Sequence, residues 1–178
     1  MELNSNLSIK TTRLMLKPIH EDYIDDIHAN FTPKVTRYMP HNPKGDRIDT
    51  VNFVERSKEQ LIAKTDLIFV MLDQEEQFIG CCGITHINPI SVEIGLWLKE
   101  EAQNQGFGTD AVIGLIKFIE QYFSIEYIIY PVDSENIRSR NIPEKLGFTA
   151  FKTYSQQKNE RITLNIIEYR KYYARNII

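Results

Sequence analysis

The chain has 178 residues, of which 42% are hydrophobic and 25% charged, and its formal net charge is −3. These values are typical of a soluble globular protein, and we predict a single domain over residues 1–178. An acidic balance without a long basic run argues against a nucleic-acid partner. No apolar run approaches the roughly 18 residues that a membrane span needs, and the N-terminus lacks the features of a signal peptide. We therefore expect a cytoplasmic protein with no membrane partner.

The cysteines and histidines give no basis for disulfide or metal chemistry. Cys81 and Cys82 are adjacent, and neighbours in a strand point to opposite faces, so they are poor disulfide partners. A reducing compartment fits this. The four histidines are scattered rather than spaced as metal ligands, and we expect no metal.

The first half of the chain predicts two helices set between strands. Apolar residues recur at helical spacing in two stretches, and a segment rich in proline separates them. In chain order we predict a strand over residues 14–18, a helix over 21–31, a turn-rich segment over 32–49, and a helix from Asp49 or Thr50 to about residue 64.

The second half predicts a hairpin followed by alternating strands and helices. We predict strands over residues 67–72, 78–87 and 91–98, a helix over 110–122, a strand over 127–132, a helix that Gly147 ends, and strands over 148–154 and 163–169 joined by a polar turn over 155–161. This order is that of a mixed α+β layer structure.

Residues 103–109, with the sequence Gln-Asn-Gln-Gly-Phe-Gly-Thr, stand between a predicted strand and a predicted helix. The first N–H groups of a helix have no partner inside it and lie at the positive end of its dipole. Two glycines just before a helix let such groups converge on a phosphate or pyrophosphate. The segment therefore predicts an anion-binding corner.

Two other interpretations remain open for this corner. Gly-x-Gly before a helix also occurs as a plain tight turn. Residues 106–111 fit the dinucleotide pattern G-x-G-x-x-A, with Asp133 after the next strand. Against the second interpretation, seven residues separate the strand from the first glycine, and too few βα units follow to build a doubly wound sheet.

Four motifs in this order make the sequence similar to the GNAT-superfamily N-acetyltransferases, most of all to their RimJ/RimL branch of ribosomal-protein N-terminal acetyltransferases. The motifs are the start Thr12-Arg13-Leu14-x-Leu16, the strand Glu93-Ile94-Gly95-Leu96-Trp97-Leu98, the acyl-CoA motif Q/R-x-x-G-x-G/A at Gln103, Gly106 and Gly108, and a later set at Asn136, Ser139, Glu144, Lys145, Gly147 and Phe148. The resemblance spans about residues 12–169.

The resemblance implies a mixed, mostly antiparallel sheet of about six to seven strands flanked by helices, with two central strands splayed apart. It implies acetyl-CoA as cosubstrate, with the pyrophosphate on the glycine corner and the pantetheine arm in the gap. The residues implied to bind it are Leu96, Trp97, Leu98, Gln103, Asn104, Gln105, Gly106, Phe107, Gly108, Thr109, Asn136 and Ser139.

Two positions depart from the family pattern. Asn104 stands where the family usually has glycine, and Pro143 stands where many relatives place a tyrosine as general acid. With that tyrosine absent, we expect Ser139 to donate a hydrogen bond to the departing sulfur. Glu93, on a strand with apolar neighbours, is the candidate general base and also an acceptor contact.

The sequence leaves the acceptor open. The resemblance implies a protein N-terminal amine, and the alternatives are a small-molecule amine (a polyamine, an amino acid or an aminoglycoside) and a non-catalytic acyl-CoA-binding module. Tyr38, Met39 and His41, in the turn-rich segment, are predicted acceptor contacts. A homodimer is the assembly that fold relatives imply.

Overall fold

The computed structural model describes residues 7–43 and 45–173, which form one eight-stranded sheet with helices on both faces. The strands are β1 (Ile9–Lys10), β2 (Met15–Pro18), β3 (Leu67–Leu72), β4 (Phe78–Thr85), β5 (Ser91–Leu98), β6 (Tyr127–Asp133), β7 (Thr149–Asn159) and β8 (Ile162–Tyr172). The helices are α1 (Ile24–Asn30), α2 (Arg47–Ala63), α3 (Phe107–Tyr122) and α4 (Ile137–Lys145). None of the described helices is long and apolar enough to cross a membrane.

The sheet order is β1-β2-β3-β4-β5-β6-β8-β7, and every neighbouring pair is antiparallel except β5 and β6. This agrees with the predicted mostly antiparallel sheet and differs from the parallel sheet of a dinucleotide-binding fold. The observed strand count is eight rather than six to seven, because β1 adds an edge strand. With only two residues, β1 is too short to be predicted from its sequence.

Two apolar layers fix the faces of the sheet. On one face, α3 packs Ala111, Val112, Leu115 and Ile119 against the strands as one fully buried stripe. On the other face, α1 and α2 cover a smaller cluster that includes Val54. Because side chains alternate along a strand, successive residues of β5 and β6 point to these two different layers.

The parallel pair β5 and β6 is joined over only three positions. Ser91 pairs with Tyr127, Val92 with Ile128, and Glu93 with Ile129, and the pairing then stops although β5 continues to Leu98. We call the opening beyond the last pair the β5–β6 gap. Splayed central strands were predicted from the resemblance, and the register confirms them.

Two predicted boundaries are wrong. Residues 155–161 are not a turn: β7 runs on to Asn159, and the connection to β8 is only two residues long. The side-chain oxygen of Asn159 accepts hydrogen bonds from the backbone N–H groups of Arg161 and Ile162, each at 3.0 Å, which closes this tight turn. The polar residues misled the prediction because β7 is an edge strand whose side chains are mostly exposed.

The helix α3 starts at Phe107, three residues before the predicted Asp110. The helix therefore absorbs the second glycine of the corner into its first turn. A Cβ built at Gly108 would lie 3.2 Å from both Ile142 and Leu96, so the absence of a side chain lets α3 approach β5 and α4.

Candidate active site

A cleft of about 430 Å³ lies where β5, the N-terminus of α3 and the helix α4 meet. Most of the predicted cofactor contacts line it: Leu96, Trp97, Leu98, Gln103, Asn104, Gly106, Gly108, Thr109, Asn136 and Ser139. Of the predicted acceptor contacts, Tyr38 lines it as well. The cleft lining leaves out Gln105, Phe107, Met39, His41 and Glu93.

The backbone of the glycine corner is held in a left-handed conformation at two positions. Gly106 has a φ of 85° and precedes α3 directly, and Asn104 has a φ of 62°. Asparagine tolerates this conformation better than most residues, which explains why it can replace the glycine of the family pattern. The first intrahelical N–H bond is that of Asp110 to the Gly106 carbonyl at 3.1 Å. The preceding N–H groups of α3 are thus left for a ligand.

Arg13 and Asp110 support this corner from outside the cleft. The Arg13 guanidinium donates to the Gln105 carbonyl and lies 4.0 Å from the centre of the Phe107 ring. The Asp110 carboxylate accepts from the Arg13 backbone N–H at 3.0 Å and from the Thr11 hydroxyl. The negative charge in the first turn of α3 is therefore engaged with the β1–β2 connection. Gln105 and Phe107 therefore contact Arg13 and hold the glycine corner in place.

The cleft is lined by cations. Lys34, Arg138 and Lys145 border it, and none of its described lining residues carries a carboxylate. Lys34 also forms an ion pair with Glu100 at 2.6 Å. Together with the helix N-terminus, these charges suit an anionic ligand that carries several phosphates. Lys34 and Arg138 were not among the predicted site residues, and Lys145 was named only as a motif residue, although Arg138, Asn141, Ile142 and Lys145 recur at the spacing of one helix face.

Ser139 and Asn136 lie at the start of α4. The Asn136 side-chain oxygen accepts from the Ser139 backbone N–H at 3.2 Å and so acts as the helix cap. The Ser139 hydroxyl lies 3.0 Å from the hydroxyl of Tyr130 on β6. Tyr130 was not among the predicted site residues, because a tyrosine in an apolar strand is typical of a core residue.

Glu93 occupies the apex of the β5–β6 gap, at the last paired position. Its side chain is 28% exposed, and its carboxylate lies 3.8 Å from the His86 ring. Burial raises the pKa of Glu93, His86 lowers it, and Glu168 and Asp66 raise it further. Glu93 points away from Val92 and Ile94, which are buried under α3, and so belongs to the α1–α2 face of the sheet.

The α1–α2 face is open next to Glu93. A Cβ built at Gly95, two residues further along the same face, would meet no atom within 4 Å. Trp97 follows on this face and packs its ring edge-on against Phe31 at 5.2 Å between centroids. The open space over Gly95 therefore lies between a half-buried carboxylate and an aromatic wall.

The turn-rich segment that carries Tyr38, Met39 and His41 is tied to both sides of the site. The Thr32 hydroxyl donates to Glu100 at 2.9 Å, next to the glycine corner. The Lys158 ammonium of β7 donates to the carbonyl of the fully buried Thr36. Met39 and His41 themselves lie outside the cleft lining, and a contact of theirs with an acceptor stays a prediction.

Cys81 and Cys82 are buried in β4 and are not disulfide-bonded. Burial raises the pKa of both thiols, which keeps them protonated and unreactive. The described residues contain no group of three or more histidine, cysteine, aspartate or glutamate side chains arranged around a common metal position.

Comparison with solved structures shows the same fold at low sequence identity. RimL, the ribosomal L7/L12 α-N-protein acetyltransferase in complex with coenzyme A, superposes with a TM-score of 0.84 at 18% identity, over 93% of this chain and 98% of that one. The Salmonella typhimurium acetyltransferase that modifies the N-terminal serine of a 50S ribosomal subunit protein gives 0.82 at 16% identity, over 94% and 100%. Spermidine N-acetyltransferase from Vibrio cholerae, in complex with CoA and spermine, gives 0.78 at 18% identity, over 89% and 95%.

Comparison with the curated protein sequences finds no significant match. The family model described as the acetyltransferase (GNAT) domain matches residues 13–149, which include β5, the glycine corner and α4. The chain therefore belongs to the GNAT family of acetyltransferases, enzymes that use acetyl-CoA.

Proposed function

We propose that this acetyltransferase transfers acetyl directly from acetyl-CoA to the α-amine of a protein or peptide N-terminus, with both substrates bound at once. The observation that carries the proposal is the arrangement around the β5–β6 gap. A cation-lined cleft lies beyond the gap, and its lining includes Trp97, which also borders the open space over Gly95 beside Glu93. A gap between two strands allows groups on the two faces to meet.

The residues of the cleft fit acetyl-CoA. The free N–H groups at the start of α3 would hold its pyrophosphate, and Lys34, Arg138 and Lys145 would offset the phosphate charge. The edge of β5 beyond Glu93 has no partner in β6, and an extended pantetheine arm can satisfy such an edge. When bound, acetyl-CoA supplies the acetyl group as a reactive thioester.

The chain's own residues then have two tasks. Glu93 takes a proton from the acceptor ammonium, directly or through water, so that the nitrogen can attack. Its raised pKa brings it nearer the value of an effective general base at neutral pH. Holding the two substrates together supplies much of the acceleration, on the order of 7–11 kcal/mol at best. Direct transfer fits the burial of both cysteines, which removes them as covalent acetyl carriers.

The charges of the acceptor face favour an amine with one positive charge over a polyamine. Glu168 lies on the same face as Glu93, but its carboxylate is paired with Lys152 at 3.2 Å and with Arg170 at 2.7 Å. Lys158 adds another cation from β7. A long polycation would need a chain of unpaired carboxylates, whereas an N-terminal amine needs only Glu93.

The test is thiol release from acetyl-CoA over a panel of acceptors, followed by mass spectrometry of the acetylated product. Peptides with a free N-terminus should be turned over, and the same peptides with a blocked N-terminus and free lysines should not. Spermidine, single amino acids and an aminoglycoside complete the panel. Turnover confined to spermidine or to the aminoglycoside would refute the N-terminal acceptor and leave a small-molecule acetyltransferase.

A further inference from the structure

Tyr130 and Ser139 form a hydrogen-bonded pair that joins the core to the wall of the cleft. Tyr130 is 2% exposed, and its hydroxyl lies 3.0 Å from the Ser139 hydroxyl. Among the described residues, Ser139 is the only hydrogen-bond partner that the structure gives to the Tyr130 side chain. Ser139 itself is half-buried and lines the cleft.

The burial of Tyr130 favours one direction for the two hydroxyl hydrogens. A buried phenol hydrogen without an acceptor is costly, so Tyr130 donates and the Ser139 oxygen accepts. A hydroxyl that accepts one hydrogen bond still has its own hydrogen to donate. The described protein groups offer the Ser139 hydroxyl no second partner, so its hydrogen is available to a ligand in the cleft.

We infer that Tyr130 is a positioning residue that orients the Ser139 hydroxyl as a hydrogen-bond donor to the sulfur of the departing coenzyme A. The inference rests on the proposed function, because that function supplies the coenzyme A sulfur to which Ser139 donates. Because Pro143 stands where many relatives have a tyrosine, α4 lacks that hydrogen-bond donor to the sulfur. The pair Tyr130 and Ser139 supplies a different one.

The transfer step balances without a proton from this pair. After Glu93 has passed the ammonium proton to solvent, the neutral acceptor nitrogen bonds to the acetyl carbon and loses its second proton to Glu93, and the carbon–sulfur bond breaks with its electron pair on sulfur. The thiolate leaves hydrogen-bonded to Ser139 and is protonated from solvent. Burial raises the pKa of Tyr130 to about 12, so the phenol keeps its proton while the more acidic thiol of coenzyme A departs as a thiolate.

A binding experiment tests the inference without turnover. Calorimetry would compare CoA with desulfo-CoA, which lacks the thiol, at about pH 6.5, where the thiol is protonated, and at about pH 9.5, where a large fraction of it is thiolate. The charged neighbours of the cleft, Lys34, Arg138 and Lys145, and Glu93 beyond the gap, are the same in every variant. For the wild type we expect the affinity for CoA relative to desulfo-CoA to rise about tenfold with pH.

In the Tyr130→Phe variant this rise should fall to about threefold or less, because the serine hydroxyl is no longer held toward the sulfur. Ser139→Ala removes the proposed donor itself and should also reduce the rise, although it leaves the buried Tyr130 hydroxyl without its partner. Tyr169→Phe is the matched control: Tyr169 is also buried, and its hydroxyl also bonds α4, through Glu144 at 2.5 Å. It should retain the wild-type rise. A rise that is absent in the wild type, or equally reduced in Tyr169→Phe, would overturn the inference.

Turnover provides a second test. Tyr130→Phe should lower kcat by about three- to tenfold with little change in the KM for acetyl-CoA, and Ser139→Ala should lower kcat further. The double variant should be no slower than Ser139→Ala, because Tyr130 acts through that hydroxyl. Independent, multiplying effects would refute the coupling. A wild-type protein that acetylates no amine would instead refute the proposed function, and the thiol-affinity data would still decide the role of Tyr130.

Discussion

At the scale of single residues, Glu93 is a carboxylate that the fold removes in large part from water. Its carboxylate is mostly buried, and Glu168 and Asp66 add negative charge, while only His86 offsets it. Burial and repulsion both favour the protonated form, so the pKa of Glu93 lies above its ordinary value of 4.5. This position makes it a better base and a poorer contributor to stability.

Replacing Glu93 by glutamine should lower kcat/KM by roughly 10²–10⁴, the range of general-base catalysis. The wild-type kcat/KM should rise with pH through a step above 4.5, as the carboxylate loses its proton, and this step should vanish in Glu93→Gln. Acetyl-CoA binding, measured by calorimetry, should be unchanged. Glu75→Gln, in the exposed β3–β4 turn, serves as the control. Full activity of Glu93→Gln would exclude the catalytic role.

The same substitution should affect stability with a definite sign. Because the folded-state pKa of Glu93 is raised, the folded state binds more protons than the unfolded state between the two pKa values. The free energy of unfolding of the wild type is therefore expected to fall as the pH rises through that window. Glu93→Gln should match the wild type near pH 4 and be the more stable protein at pH 7. Chemical denaturation at the two pH values measures this difference.

At the scale of elements, the start of α3 depends on the left-handed Gly106. A Cβ there adds strain on the order of 1–2 kcal/mol and approaches the Arg13 guanidinium at 3.4 Å. We expect Gly106→Ala to weaken acetyl-CoA binding about tenfold, which corresponds to about 1.4 kcal/mol. Gly45→Ala, where a Cβ meets nothing within 4 Å, should bind as the wild type does. Calorimetry measures the acetyl-CoA affinity of both variants. Equal affinities would contradict an anion site on this corner.

Alternate side chains of β5 point to opposite faces of the sheet, so Gly95 and Leu96 border different surfaces of the strand. A leucine at Gly95 would project into the open space beside Glu93 and away from Leu96. We expect the acceptor KM of Gly95→Leu to rise about tenfold or more, while the Kd for acetyl-CoA changes less than about twofold. Steady-state kinetics and calorimetry measure the two quantities. A weakened acetyl-CoA affinity with an unchanged acceptor KM would place the acceptor elsewhere.

At the scale of the whole molecule, ligand binding should raise the stability of the fold. Acetyl-CoA at 100 times its Kd adds about 2.7 kcal/mol to the free energy of unfolding. For a chain of 178 residues this corresponds to a Tm increase of roughly 5–10 °C. NADH at the same concentration should leave the Tm unchanged. A shift with NADH and none with acetyl-CoA would favour the dinucleotide interpretation of the glycine corner.

The sequence by itself determined the order of the main elements, the glycine corner and the family, because these depend on local signals: periodic apolar residues, glycines before a helix, and short motifs. It misplaced the β7–β8 turn, where polar residues mark an exposed edge strand. It also missed Lys34, Arg138 and Tyr130, and it named Arg13 and Lys145 only as motif residues, without their contacts.

Only the tertiary structure decided what these residues contact, because their partners are distant in the chain. Arg13 meets Gln105 only when the β1–β2 connection crosses the corner, and Tyr130 meets Ser139 only when α4 packs on β6. The position of Glu93 at the apex of the β5–β6 gap also follows from where strand pairing ends, which depends on how two separated strands diverge rather than on either strand's sequence alone.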